Sequence, residues 1–178
     1  MLAKEGLVQL RPSRSPVVSQ MTLKEAMDSI EVLTTLEMLS VKRACEYATP
    51  EDIANIYKAD QALAVEYDDL NQIERFERDM DFHIAIVQAA HNEALVRTHM
   101  AYLGRLWHAR FQSARSRRTK ERVLRQHAAL AKAIEDRNLA LAQSELSAHL
   151  DHLVINVRAY FEALEAENDP VQTSSAAE

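Results

Sequence analysis

The chain has 178 residues, 47% of them hydrophobic and 27% charged, with a formal net charge of −6. That length can bury a full core and points to one main domain. The acidic balance gives no general affinity for nucleic acid, because phosphate repels such a surface unless its basic residues are segregated. A single cysteine, Cys45, rules out an internal disulfide and fits a reducing cytoplasm. No run of about 18 apolar residues is present, so no membrane-spanning helix is expected. The opening Met-Leu-Ala-Lys-Glu-Gly lacks the apolar stretch of a signal peptide. Two glycines and four prolines suit an all-helical chain, since both residues break helix interiors.

Residues 1–20 differ from the rest. They hold Gly6, Pro12 and Pro16. Met1 to Glu5 reads as a last helical turn that Gly6 terminates. Leu7-Val8-Gln9-Leu10 and Pro16-Val17-Val18 read as two short strands around a Pro-Ser-Arg-Ser turn. A piece of this size buries no core of its own.

From Thr22 onward the pattern is helix after helix. Thr22-Leu23-Lys24-Glu25 is a capping box, and Ile30, Leu33, Leu36 and Val41 continue at helical spacing to about Tyr47. Thr49-Pro50-Glu51-Asp52 opens a second helix, with proline at the first helical position, where its missing N–H costs nothing. It runs to about Tyr67. Asn71-Gln72-Ile73-Glu74 opens a third, ending near Ala90. Asn92 caps a fourth, with Leu95, Leu103, Leu106 and Trp107 as core candidates. The basic stretch Arg115 to Arg122 reads as a solvated loop. Thr119 or Lys120 starts a fifth helix through Ile134. Asp136-Arg137-Asn138 is a turn, and a sixth helix runs from Leu139 to about Ala166. The polar tail 167–178 reads as disordered. The expected fold is all-α, an antiparallel bundle of about six helices preceded by a short β-hairpin.

One stretch carries chemistry. In Asp79-Met80-Asp81-Phe82-His83 the outer residues are four apart and share a helix face. His127 and His149 fall in later helical patterns. One carboxylate and three imidazoles converging in a bundle would suit a divalent metal, with open positions for water or a carboxylate. An Asp-x-x-x-His pair by itself is more often a solvated or hydrogen-bonded pair, and spacing alone favours that reading over the metal. Asp81, His91, His99, His108 and His152 read as surface or loop residues. The basic run from Arg115 to Arg125 reads as solvated, since it lacks the interleaved aromatics of a nucleic-acid groove.

Several stretches, in order, resemble the FCD domain, the ligand-binding domain of FadR-subgroup GntR-type bacterial transcription regulators. They are Leu36-Glu37 with Lys42-Arg43-Ala44; Ala48-Thr49-Pro50-Glu51-Asp52-Ile53; Asp79 through Ile86 with Ala89 through Leu95; His127-Ala128-Ala129-Leu130; and His149-Leu150. The resemblance covers about residues 22–163. It implies that Asp79, His83, His127 and His149 hold a divalent metal ion (zinc, nickel or manganese), which helps bind a small carboxylate effector. The family often has an arginine three residues before the Leu-Glu pair, where this chain has Leu33; Arg105 or Arg110 would then supply the cation. Leu2 through Val8, Arg11 through Arg14 and Val17-Val18 resemble the end of a recognition helix and the wing of a winged helix-turn-helix, making Lys4, Arg11 and Arg14 remnants of a DNA-binding surface. The implied organisation is a DNA-binding remnant over 1–20, an effector-binding bundle over 21–166 and a tail. The full-length form would bind operator DNA as a homodimer. Two rivals are a metal-dependent hydrolase-like enzyme, for which no general base has motif support, and a truncated dimerisation remnant.

Overall fold

A computed structural model describes residues 8–11, 14–18, 21–117 and 119–167, with side chains over 21–114 and 119–166. Lys4, Gly6 and the tail beyond Glu167 lie outside them. Six helices make up the described residues from Leu23 onward: α1 Leu23–Tyr47, α2 Pro50–Glu66, α3 Gln72–Gln88, α4 Glu93–Arg117, α5 Lys120–Glu135 and α6 Leu139–Glu167. Two short strands precede them, β1 Val8–Arg11 and β2 Arg14–Val18, antiparallel with Val8 opposite Val18 and Gln9 opposite Val17. Of the proposed DNA-contact remnants, Arg11 and Arg14 fall at the facing ends of these strands.

The first three helices begin where hydroxyl, carboxylate and amide side chains can take up orphaned N–H groups. Thr22 with Glu25, Thr49 with Asp52, and Asn71 with Glu74 each form a reciprocal capping box. Asn92 accepts the Leu95 N–H at 3.1 Å to start α4. The C-termini of α1 and α3 are closed by arginines from elsewhere in the chain. Arg137 sits at φ 56° between α5 and α6. Its guanidinium donates to the carbonyls of Ala44 (2.9 Å), Cys45 (3.1 Å) and Ala48 at the end of α1. Arg43 Nε donates to the Ala90 carbonyl beyond α3 at 2.9 Å.

Four buried clusters hold the bundle among the described residues, and the two largest join most of its helices. Val41, Ala44, Phe82, Ile86, Leu130, Ile134 and Leu146 join α1, α3, α5 and α6. Ile30, Leu33, Leu106 and Val157 join α1, α4 and α6. Leu33, at the position where the resemblance expects an arginine, is fully buried in the second of these.

Three expectations are corrected. The stretch from Arg115 to Arg122 is not a loop: α4 continues to Arg117 and α5 begins at Lys120. It contains no glycine or proline, and arginine is a good helix former whatever its charge. The third helix stops at Gln88 rather than Ala90, because the chain turns through His91 at φ 47°. His99 is not a surface residue; it is fully buried on α4.

Candidate functional site

The four residues that the family resemblance implies as metal ligands are brought together. Asp79 and His83 rise from one face of α3, His127 comes from α5 and His149 from α6. One donor atom from each lies within 4.8 Å of the others. The imidazole centroids are 5.0 Å (His83–His149), 5.2 Å (His127–His149) and 5.7 Å (His83–His127) apart. Asp79, His83 and His127 are 1–2% exposed and His149 is 9% exposed.

Each imidazole has an outward partner on Nδ1. His83 Nδ1 is 3.1 Å from Glu37 Oε2 on α1. His149 Nδ1 is 3.2 Å from Gln126 Oε1 on α5, a geometry that suits N–H donation. His127 Nδ1 faces Asp60 Oδ1 on α2 at a longer 3.8 Å. Phe82 stacks on the His127 ring at 4.0 Å and fixes its plane. A proton held on Nδ1 leaves the lone pair on Nε2. His127 Nε2 lies 3.2 Å from Asp79 Oδ1. His83 Nε2 is buried and meets no hydrogen-bond partner among the described residues. A buried acceptor without a donor is costly. A cation at the centre of three imidazoles and a carboxylate would satisfy it, and outward carboxylates or amides on the other ring nitrogen are the usual support of metal-binding histidines. The residues present therefore fit a divalent ion.

Glu37 extends this support. Besides His83 it faces His99 Nε2 at 3.4 Å and Arg110 Nη1 at 3.7 Å, both from α4. Burial pushes the Glu37 carboxyl up, but His83, His99 and Arg110 outweigh that and hold it well below the ordinary carboxylate range. Asp60 has no comparable cationic support, and burial pushes its carboxyl up. The sequence shows Glu37 only as half of a Leu-Glu pair. Its inward-facing position on α1, one turn after buried Leu33, is the signal that could have found it.

The two proposed effector cations separate. Arg110 is 4% exposed and lies beside Glu37, lining a cavity against Asp79 and His149. Arg105 is exposed on the same helix, and its nearby carboxylate is Glu25. The remaining histidines and Asp81 stand away from the cluster, except that His152 reaches the cavity wall. His91 pairs with Asp52 at 2.7 Å, His108 is exposed, and Asp81 lies 3.7 Å from Arg78. Lys120 pairs with Asp68 and lies over the Tyr67 ring, so this member of the basic run is engaged within the chain. Of the tyrosines, Tyr67 lines a cavity beside Asp79, while Tyr57 donates its hydroxyl to Glu135 at 2.9 Å.

Fold and cluster together define a class: an all-helical bundle whose core gathers a carboxylate and three imidazoles beside a cavity. Residues 28–152 match the FCD domain. The chain is 26% identical over 161 residues to the Nta operon transcriptional regulator of Aminobacter aminovorans, covering 88% of this chain and 75% of that protein. It is 24% identical over 159 residues to the HTH-type transcriptional repressor RspR of Escherichia coli, covering 88% and 69%. Among solved structures, E. coli McbR superposes with a TM-score of 0.77 at 14% identity, covering 91% of this chain and 80% of that one. Lar, which controls expression of the Listeria monocytogenes agr system, superposes at 0.72 and 14%, covering 89% and 75%. The chain belongs to the FCD-domain family of GntR-type transcription regulators. The family and these relatives are regulators, not enzymes, which removes the hydrolase reading.

Proposed function

We propose that this chain is a metal-dependent sensor of a small carboxylate, whose occupancy modulates DNA binding by the regulator. Asp79, His83, His127 and His149 would hold the ion, with zinc, nickel or manganese as candidates. The ion supplies a Lewis-acidic position for a carboxylate oxygen. The observation that carries this reading is the gathering of one donor atom from each of the four side chains, with His83 supported on Glu37 and His149 on Gln126 and with His83 Nε2 buried without a hydrogen-bond partner among the described residues. Arg110, which lines a cavity with Asp79 and His149, would be the cation for the effector carboxylate; Arg105 is exposed on the same helix.

Residues 1–20 then serve as part of the DNA-reading module, with Lys4, Arg11 and Arg14 as its candidate DNA contacts, and residues 21–166 as the sensor. The working form is a homodimer on operator DNA, and effector binding biases the placement of its two DNA-reading ends. It works in the cytoplasm. Among the described residues no helix is long and apolar enough to cross a membrane.

Metal content of the purified chain, measured by elemental mass spectrometry, tests the proposal. The expected result is about one equivalent per chain, lost in Asp79→Ala and in His149→Ala, with carboxylate affinity lost alongside. Metal-free protein after refolding with each candidate ion, or effector affinity that survives metal stripping, would overturn it.

A further inference from the structure

Two lobes of a cavity open beside the four-residue cluster, and Phe76, Asp79, Ala114 and Val123 line both. Each lobe carries cations. Arg75 lines one, of about 110 Å³. Arg110 and Arg122 line the other, of about 40 Å³. Among the described residues Asp79 is the one carboxylate lining either lobe, and in the sensor reading the ion takes it.

Arg75 is held in place by neutral groups. Its Nε donates to the Tyr67 carbonyl at 2.7 Å, and its guanidinium lies 4.8 Å over the Tyr67 ring. The carboxylates around this corner of the bundle are engaged elsewhere: Glu66 with Arg78 at 3.4 Å, Asp68 with Lys120, and Glu74 with the Asn71 N–H at 2.8 Å. No ion pair joins Arg75 to a carboxylate among the described residues. Arg110 differs, since Glu37 lies 3.7 Å from it. A guanidinium fixed through its Nε and one face keeps its two Nη groups for a planar anion, and that fork matches a carboxylate. A ligand seated over Arg75 displaces its water. A neutral group there leaves a charge short of partners, and a carboxylate offsets that cost.

We propose that the effector is a dianion with separated charges, a short-chain dicarboxylate. One carboxylate lies by the cluster in the lobe of Arg110 and Arg122, and the other lies on Arg75. Arg75 is then the residue that selects two carboxylates over one. This rests on the sensor reading above and adds the ligand class to it. The combined space is close to the roughly 150 Å³ of a cavity that admits one benzene ring, which limits the spacer to a few carbons. A phosphate group also carries up to about two negative charges, but on one centre, so it reaches only one lobe.

The test uses the full chain loaded with the metal it retains. Succinate and glutarate are titrated by calorimetry against butanoate and pentanoate, which have the same chain lengths and one carboxylate each, and against inorganic phosphate. The fluorescence of Trp107, the one tryptophan in the chain and a neighbour of Phe76 at 4.9 Å, gives a second readout. The expected result is at least tenfold tighter binding of the dicarboxylates, with the gap nearly closed in Arg75→Gln and partly restored in Arg75→Lys. Monocarboxylates binding as tightly, in a metal-dependent way, overturn the ligand class and leave the sensor reading standing. Phosphate binding as tightly overturns the separated charges. A gap unchanged in Arg75→Gln overturns the role of Arg75. A gap that survives metal stripping keeps the ligand class and overturns metal dependence. No binding by any of these anions overturns both. The wild-type series decides the ligand class even if the Arg75 variants fail to fold.

Discussion

Glu37 shows how a single buried charge can organise a site. It sits 3% exposed between His83, His99 and Arg110, so one carboxylate supports a candidate metal ligand and a candidate effector cation at once. Replacing it with glutamine keeps an acceptor for the His83 N–H but removes the charge. Glu37→Gln is expected to weaken metal affinity by about ten- to a hundredfold, the usual effect of losing an outer partner of a metal-binding histidine. Competition against a chelator measures this, with circular dichroism as the fold control. Unchanged affinity with an intact fold would show that the Glu37 charge does not support the site. Gln126→Leu is the parallel case for His149, and it leaves α5 free of any new charge. The prediction there is a loss of similar size, and an unaffected metal affinity would mean that the His149 ring is oriented by packing alone.

Helix ends are where the elements are specified most locally. The Thr49–Asp52 box satisfies two orphan donors of α2, and Thr49→Ala is expected to cost about 1 kcal/mol in urea unfolding. Burial pushes the Asp52 carboxyl up, but Thr49 and His91 outweigh it and hold it below its ordinary value of 3.8. A depressed carboxyl stabilises the fold above its unfolded value and loses that contribution as pH falls through the folded one. The stability difference between wild type and Asp52→Asn should therefore be full near neutrality and close in acid below about pH 3.8. A gap that persists unchanged at lower pH would contradict this. The C-terminus of α1 depends instead on Arg137, 89 residues beyond Ala48, whose guanidinium takes up three α1 carbonyls. Arg137→Ala leaves those carbonyls without their cap and is expected to cost about 1–3 kcal/mol. For a chain of this size that lowers the melting temperature by about 2–4 °C per kcal/mol. An unchanged melting temperature would assign the capping to water.

For the whole molecule, the cluster ties α3, α5 and α6 together, with α1 and α2 supplying the outer carboxylates. A ligand bound only by the folded state stabilises it, by about 2.7 kcal/mol at a hundred times its dissociation constant. Stripping the metal should therefore lower the melting temperature by about 5–10 °C at that saturation, and adding back the same ion should restore it. The same treatment of an Asp79→Ala/His149→Ala variant should have no effect. A melting temperature indifferent to metal in the wild type would count against the ion as part of the fold.

What the sequence determines and what it leaves to the tertiary structure follow from the range of each interaction. Capping boxes, the apolar spacing of α1 to α3 and the four-residue step from Asp79 to His83 are local. They depend on helix geometry alone and can be read from the residues in order. His127 and His149 could be connected to that pair only through the family resemblance, because spacing says nothing about which helices face each other. The basic stretch around Arg117 is helical despite its charge, because helix propensity does not depend on solvation of the side chain. Glu37, the burial of His99 and the burial of Arg110 where Arg105 is exposed are decided only by tertiary packing. Each depends on how far a helix is rotated and which neighbour covers it. A rotation of one residue step separates a buried guanidinium from an exposed one, and no local pattern fixes that angle.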